Sequence, residues 1–106
     1  MRESYVHHSS NYYSGGNAYG IMYGGSEALI EDNIAYMLNK PILGETTGGG
    51  NVIAYNYVDE AIIGDNAGWL ESGIDSSHGS FSHSDLFEGN LAPNLTTDAT
   101  HGNNGW

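Results

Sequence analysis

The chain has 106 residues, 39% of them hydrophobic, enough for one modest core within a single domain. It carries 13 acidic residues against two basic ones, Arg2 and Lys40, and this net charge of −11 argues against nucleic acid and anionic membrane surfaces as partners. Cysteine is absent, which excludes disulfides, thiolate metal sites and a cysteine nucleophile, and no apolar run approaches the ~20 residues of a membrane span.

In chain order, the opening "RESYVHH" has the alternation of a short strand, and it lacks the apolar stretch of a signal peptide. A loop-like insertion follows over 7–19, with His7, His8, Tyr12 and Tyr13. "YGIMYG" (19–24) is a short apolar strand closed by glycine. Residues 26–40, "SEALIEDNIAYMLNK", fit an amphipathic helix capped by Ser26, with Leu29, Ile30, Ile34, Met37 and Leu38 as its stripe. The same residues also fit two strands. "KPILGE" (40–45) repeats the glycine-closed pattern and runs into "GETTGGG" (44–50). "NVIAYNYV" (51–58) is rich in β-branched and aromatic residues, and "EAIIGD" (60–65) follows it. The stretch 64–85 reads as a long insertion holding Trp69, His78 and His83, with "SGIDSS" (72–77) as a degenerate strand inside it. "LFEGNLAP" (86–93) is the last apolar phrase before "HGNNGW".

Three of these phrases are one phrase repeated. Leu29-Ile30-Glu31-Asp32-Asn33-Ile34-Ala35, Val52-Ile53-Ala54-Tyr55-Asn56-Tyr57-Val58 and Leu86-Phe87-Glu88-Gly89-Asn90-Leu91-Ala92 align on their asparagines. "RESYVHH" is a weaker copy with Ser4 in the asparagine slot. The match between "LIEDNIAY" and "NVIAYNYV" favours strands over a helix at 29–36. A basic spacing of about 23 residues, as from Asn33 to Asn56, with insertions elsewhere, short strands and turn-rich joints, predicts an all-β stacked repeat, a right-handed parallel β-helix (solenoid) of about four coils with inserted loops. Inward asparagines on successive coils would satisfy one another through their amides, which is the role expected of Asn33, Asn56 and Asn90. The expected core is Ile21, Leu29, Ile30, Ile34, Ile42, Leu43, Val52, Ile53, Val58, Ile62, Ile63, Leu86 and Phe87. Tyr36, Tyr55 and Tyr57 are expected to pack within the strands.

The phrases "ALIEDNIAYMLNKPIL", "GGGNVIAYNYVDEAIIG" and "SSHGSFSHSDLFEGNLAPN" resemble the right-handed parallel β-helix repeat proteins of bacteria in the pectate-lyase-like superfamily, over residues 2–106. The resemblance implies an extracellular or cell-surface setting and polysaccharide as partner. Members of that superfamily are much longer, so the chain reads as one β-helix segment, 1–106, an internal fragment with uncapped ends. Such ends would permit head-to-tail self-association.

The expected sugar contacts are Tyr12, Tyr13 and Trp69, since flat rings with a polar edge stack on sugars. Asp75 and Asp85, with His78 or His83, form the best acid–base set for a hydrolase. Lyases of this fold use a basic residue, and only Arg2 and Lys40 exist, so catalysis by the isolated chain is not the leading expectation. No histidine metal-ligand spacing is present. Ca2+ is a candidate ligand at Asp59, Glu60 and Asp65, or at Glu71 and Asp75. Three functions follow: a carbohydrate-binding segment, a structural module that stacks through its ends, and a fragment of a glycoside hydrolase or polysaccharide lyase.

Overall fold

In the computed structural model, residues 1–13, 18–62, 72–98 and 101–104 are described. They form an all-β structure with no helix among them. The strands are β1 (Tyr5–His7), β2 (Tyr19–Gly25), β3 (Leu29–Glu31), β4 (Ile34–Thr47), β5 (Val52–Ala54), β6 (Tyr57–Ala61), β7 (Ile74–Asp75), β8 (Leu86–Glu88) and β9 (Leu95–Thr96). Every pairing between them is parallel. The helix compatible with 26–40 gives way to β3 and β4, because parallel partners on both sides satisfy the backbone and bury Ile30, Ala35 and Leu38.

Two sheets result. β3, β5 and β8 make a three-stranded sheet, in which Ile30, Ile53 and Phe87 share one register position. The six-stranded sheet centres on β4. The first half of β4 pairs with β1 and β6, bringing Val6, Ala35 and Val58 into line. Its second half pairs with β2 and β7, and β7 with β9, aligning Ile21, Ile42, Ile74 and Leu95. These aligned apolar residues form the core or pack against it, except Leu95, which is exposed on the last strand. "EAIIGD" does not take the place of "KPILGE": Ala61 pairs with Leu38, and "SGIDSS" supplies Ile74 opposite Ile42.

The joints are made by left-handed residues at equivalent positions. Glu3, Asp32, Tyr55 and Gly89, each just before the asparagine slot, have φ of 53°, 54°, 55° and 63°. Glu27, Gly50 and Ser84 repeat this six residues before the asparagine. For a non-glycine residue this backbone costs roughly 1–2 kcal/mol. The asparagine that follows offsets the cost. Asn33 Nδ2 donates to Asn56 Oδ1 at 2.9 Å, and Asn56 Nδ2 donates to Asn90 Oδ1 at 2.9 Å. Ser4 completes the row with its backbone N–H on Asn33 Oδ1, 3.1 Å away.

Period-two alternation corrects part of the expected core. Leu29, Ile34 and Leu86 are exposed, since their neighbours Ile30, Ala35 and Phe87 take the inner face. Tyr55 and Tyr57 are likewise exposed rather than packed. Both flank Asn56, whose side chain turns inward. Ile63 lies outside the described residues.

Candidate functional site

Two features outside the apolar core carry unusual chemistry. The first is the outer face of β1, β4 and β6. Tyr5, Ile34 and Tyr57 fall in one register position, and all three are exposed, at 58%, 46% and 43%. An isolated parallel bridge from Tyr57 brings exposed Leu91 below them. In the neighbouring outward column His7, Tyr36 and Asp59 are aligned. The rings interlock sideways. Tyr5 stacks on His7 with centroids 4.4 Å apart, and His8 meets Tyr36 edge-on at 5.7 Å. His7 and His8 share a hydrogen bond between their Nδ1 atoms, 2.8 Å. The hydroxyl of Tyr57 donates to Asp59 at 3.1 Å, and, at the joint between β5 and β6, that of Tyr55 donates to Glu88 of β8 at 2.7 Å. Accepting carboxylates raise the pKa of both tyrosines.

The second feature is a polar cluster on β4 and β7. Ile74 points into the core, so Asp75 points away from it, yet Asp75 is only 1% exposed. Its Oδ2 receives Lys40 Nζ at 2.6 Å, and Asp98 Oδ2 receives the same ammonium at 3.1 Å. His78 Nδ1 lies 2.8 Å from Asp98 Oδ2, 3.3 Å from Lys40 Nζ and 3.9 Å from Asp75 Oδ2. An ammonium only donates, so we assign the Nδ1 proton to the short bond with Asp98. Tyr19 and His101 both meet the His78 ring edge-on. Burial by itself would lower the Lys40 pKa, but its bonds to Asp75 and Asp98 outweigh burial and raise it. Burial raises the Asp75 pKa, and the Asp98 carboxylate adds to that against the pull of Lys40. Asp75, His78 and Asp98 hold ligand atoms within 4.8 Å of one another. Lys40 Nζ lies among them, so the chain supplies its own cation to these carboxylates.

The expected site residues separate. Asp75 and His78 come together. Asp85 instead extends a second ladder: its Oδ1 accepts the Asn51 side-chain amide at 2.8 Å and the Asn51 backbone N–H at 3.0 Å. Asn51 Oδ1 in turn accepts the Ala28 N–H at 2.9 Å. His83 Nδ1 sits 2.6 Å from the Phe81 carbonyl, and the His83 backbone bridges Gly49. Tyr12 donates its hydroxyl to the Met37 carbonyl at 3.1 Å, and Tyr13 is exposed with its carbonyl bound by Asn39. Trp69, Asp65 and Glu71 lie outside the described residues, and with them one member of each expected calcium set.

Sequence reasoning missed Asn51, Lys40 and Asp98. Asn51 and Asp85 each stand five residues before an aligned asparagine, a signal present in the repeat itself. Lys40 and Asp98 meet across 58 positions, and no local pattern announces that. Compared with family models, curated proteins and solved structures, the chain has no match.

Proposed function

We propose that the chain is a carbohydrate-binding segment, a right-handed parallel β-helix of about four coils from an extracellular polysaccharide-active or adhesive protein. Wholly parallel pairing and left-handed joints at equivalent positions support the winding. The observation that carries the function is the exposed ring face: Tyr5, Ile34 and Tyr57 in register, with Tyr36 and His7 beside them. Strands about 4.8 Å apart set these groups as a flat apolar strip with polar edges, the form that stacks on successive sugar rings. Tyr57→Ala and Tyr5→Ala should each weaken glycan binding about tenfold, or ~1.4 kcal/mol, without altering the fold. Titration of the variants against an oligosaccharide panel tests this. Full affinity in a folded double variant would sink the reading.

One observation favours a second reading, a structural module that associates with itself. The last strands leave Leu86, Leu91 and Leu95 exposed, and Ile74, Phe87 and Leu95 help line a cavity of about 230 Å3. Residues 86–97 carry a single charge, Glu88, in a chain otherwise dense in acids. At the opposite end Ile21 and Tyr23 are buried, which favours pairing of the two open ends over head-to-tail stacking. Light scattering across concentration decides: a constant mass of 11.3 kDa removes this reading.

A further inference from the structure

The ring face carries a second kind of information, its hydrogen-bonding polarity. The phenol hydrogen of Tyr57 is committed to Asp59, and that of Tyr55 to Glu88. Each pair therefore presents outward only acceptors: phenol lone pairs and the remaining carboxylate lone pairs. Asp32 lies close enough to Tyr55 to act on its hydroxyl, adding another negative charge. Neither lysine nor arginine offsets them. The chain's two basic residues are engaged elsewhere, Lys40 with Asp75 and Asp98, and Arg2 with Glu31 at 3.4 Å.

A face of aromatic rings edged by acceptors and carboxylates repels a uronate, whose groups are themselves anionic acceptors. It complements a group with several N–H donors and a positive charge, which ring faces attract as well. We infer that the glycan bound on the Tyr5, Tyr36 and Tyr57 face, and reaching over the adjoining joint at Tyr55, is an amino-sugar polymer, with Asp59 on the face and Glu88 at the joint receiving its ammonium groups. The inference rests on the carbohydrate reading above.

The test is isothermal titration with a β-1,4-linked glucosamine hexasaccharide, its fully N-acetylated counterpart and a galacturonic acid hexasaccharide. The free amine should bind at least about tenfold tighter than the acetylated form at low salt, and the advantage should shrink in ~0.5 M salt. The uronate should not bind. Asp59→Asn with Glu88→Gln should abolish the advantage of the amine, while Glu27→Gln, an exposed acid at another joint, should not. Equal affinity for the amine and acetylated forms overturns the charge class and leaves the ring face standing as a glycan site. Equal losses from Glu27→Gln and from Asp59→Asn with Glu88→Gln reveal only attraction of a polycation to an acidic protein, and overturn the assignment. No binding of any of the three overturns both.

Discussion

Asn33 hangs on Asn56 through a shared acceptor: Asn56 Oδ1 takes both the Asn33 Nδ2–H at 2.9 Å and the Asn33 backbone N–H at 3.1 Å. Asn56 repeats the arrangement on Asn90 and also donates to the Ile30 carbonyl at 3.1 Å. One buried side chain thus serves two backbone groups, the Asn33 N–H and the Ile30 carbonyl, and both neighbouring asparagine amides.

Asn56→Ala removes that acceptor and both amide donors at once. Each buried polar group left without a partner costs about 1–3 kcal/mol, so the loss should reach about 3 kcal/mol or more. Asn56→Asp keeps the acceptor and should fall between. Urea denaturation checks the order, and a loss below ~1 kcal/mol for the alanine variant would mean the ladder does not hold the joints.

Lys40→Met should be at least as damaging, because it leaves Asp75 buried without its ammonium. Removing one partner of a buried pair typically costs about 3–5 kcal/mol. The double variant Lys40→Met with Asp75→Leu should recover part of that. The pH dependence has a definite sign. Burial raises the Asp75 pKa, so its contribution is complete below the unfolded value near ~3.9 and is lost as pH rises through the folded value. Without Lys40, a main influence lowering that pKa disappears and the folded value climbs. The single variant should therefore weaken more steeply than the parent between pH 4 and 7, as read from urea midpoints.

Tyr23→Phe should stabilise. The Tyr23 hydroxyl is buried and has no hydrogen-bond partner among the described residues. Removing it relieves about 1 kcal/mol of unmatched desolvation at neutral pH. Burial also raises the Tyr23 pKa, with Asp85 and Asp75 adding to it. A raised phenol stabilises below the unfolded value near ~10, and that contribution is lost at higher pH. The variant should therefore retain its fold further into alkali, which thermal melts above pH 9 would show. An unchanged alkaline limit would locate the sensitivity elsewhere.

Gly44→Ala should destabilise by about 1–3 kcal/mol through overpacking. A Cβ there would lie 2.8 Å from the Ser76 carbonyl oxygen and 2.9 Å from the Tyr23 hydroxyl, between adjacent strands. Combining it with Tyr23→Phe should recover part of the loss, and additive effects would argue that the Ser76 backbone is the harder obstacle.

The strand phrases were legible because their periodicity is local and repeated. Leu29, Val52 and Leu86 align in the sequence and also in the sheet. The facing of each residue was less legible where both neighbours are apolar, as with Leu29 and Ile30, since alternation then gives no contrast. Tyr57 was readable after all: once Asn56 is turned inward, its neighbour on a strand must turn outward. Its assignment to the interior weighed aromatic character above that geometry. "EAIIGD" misled for a related reason. A short apolar run closed by glycine states a propensity, and only pairing with β4 chooses Ile74 over Ile62 as the partner of Ile42.

The amino-acid sequence by itself determined the all-β class, the asparagine positions and the acidic character, because each depends on composition or short-range repetition. The tertiary structure decided what meets what. It set Lys40 against Asp75 and Asp98, gave Asp85 to Asn51, and left Tyr5, Tyr55 and Tyr57 on the surface. Such meetings span tens of residues and turn on which strand pairs with which. That is a choice made by the packed whole, and no window along the chain contains it.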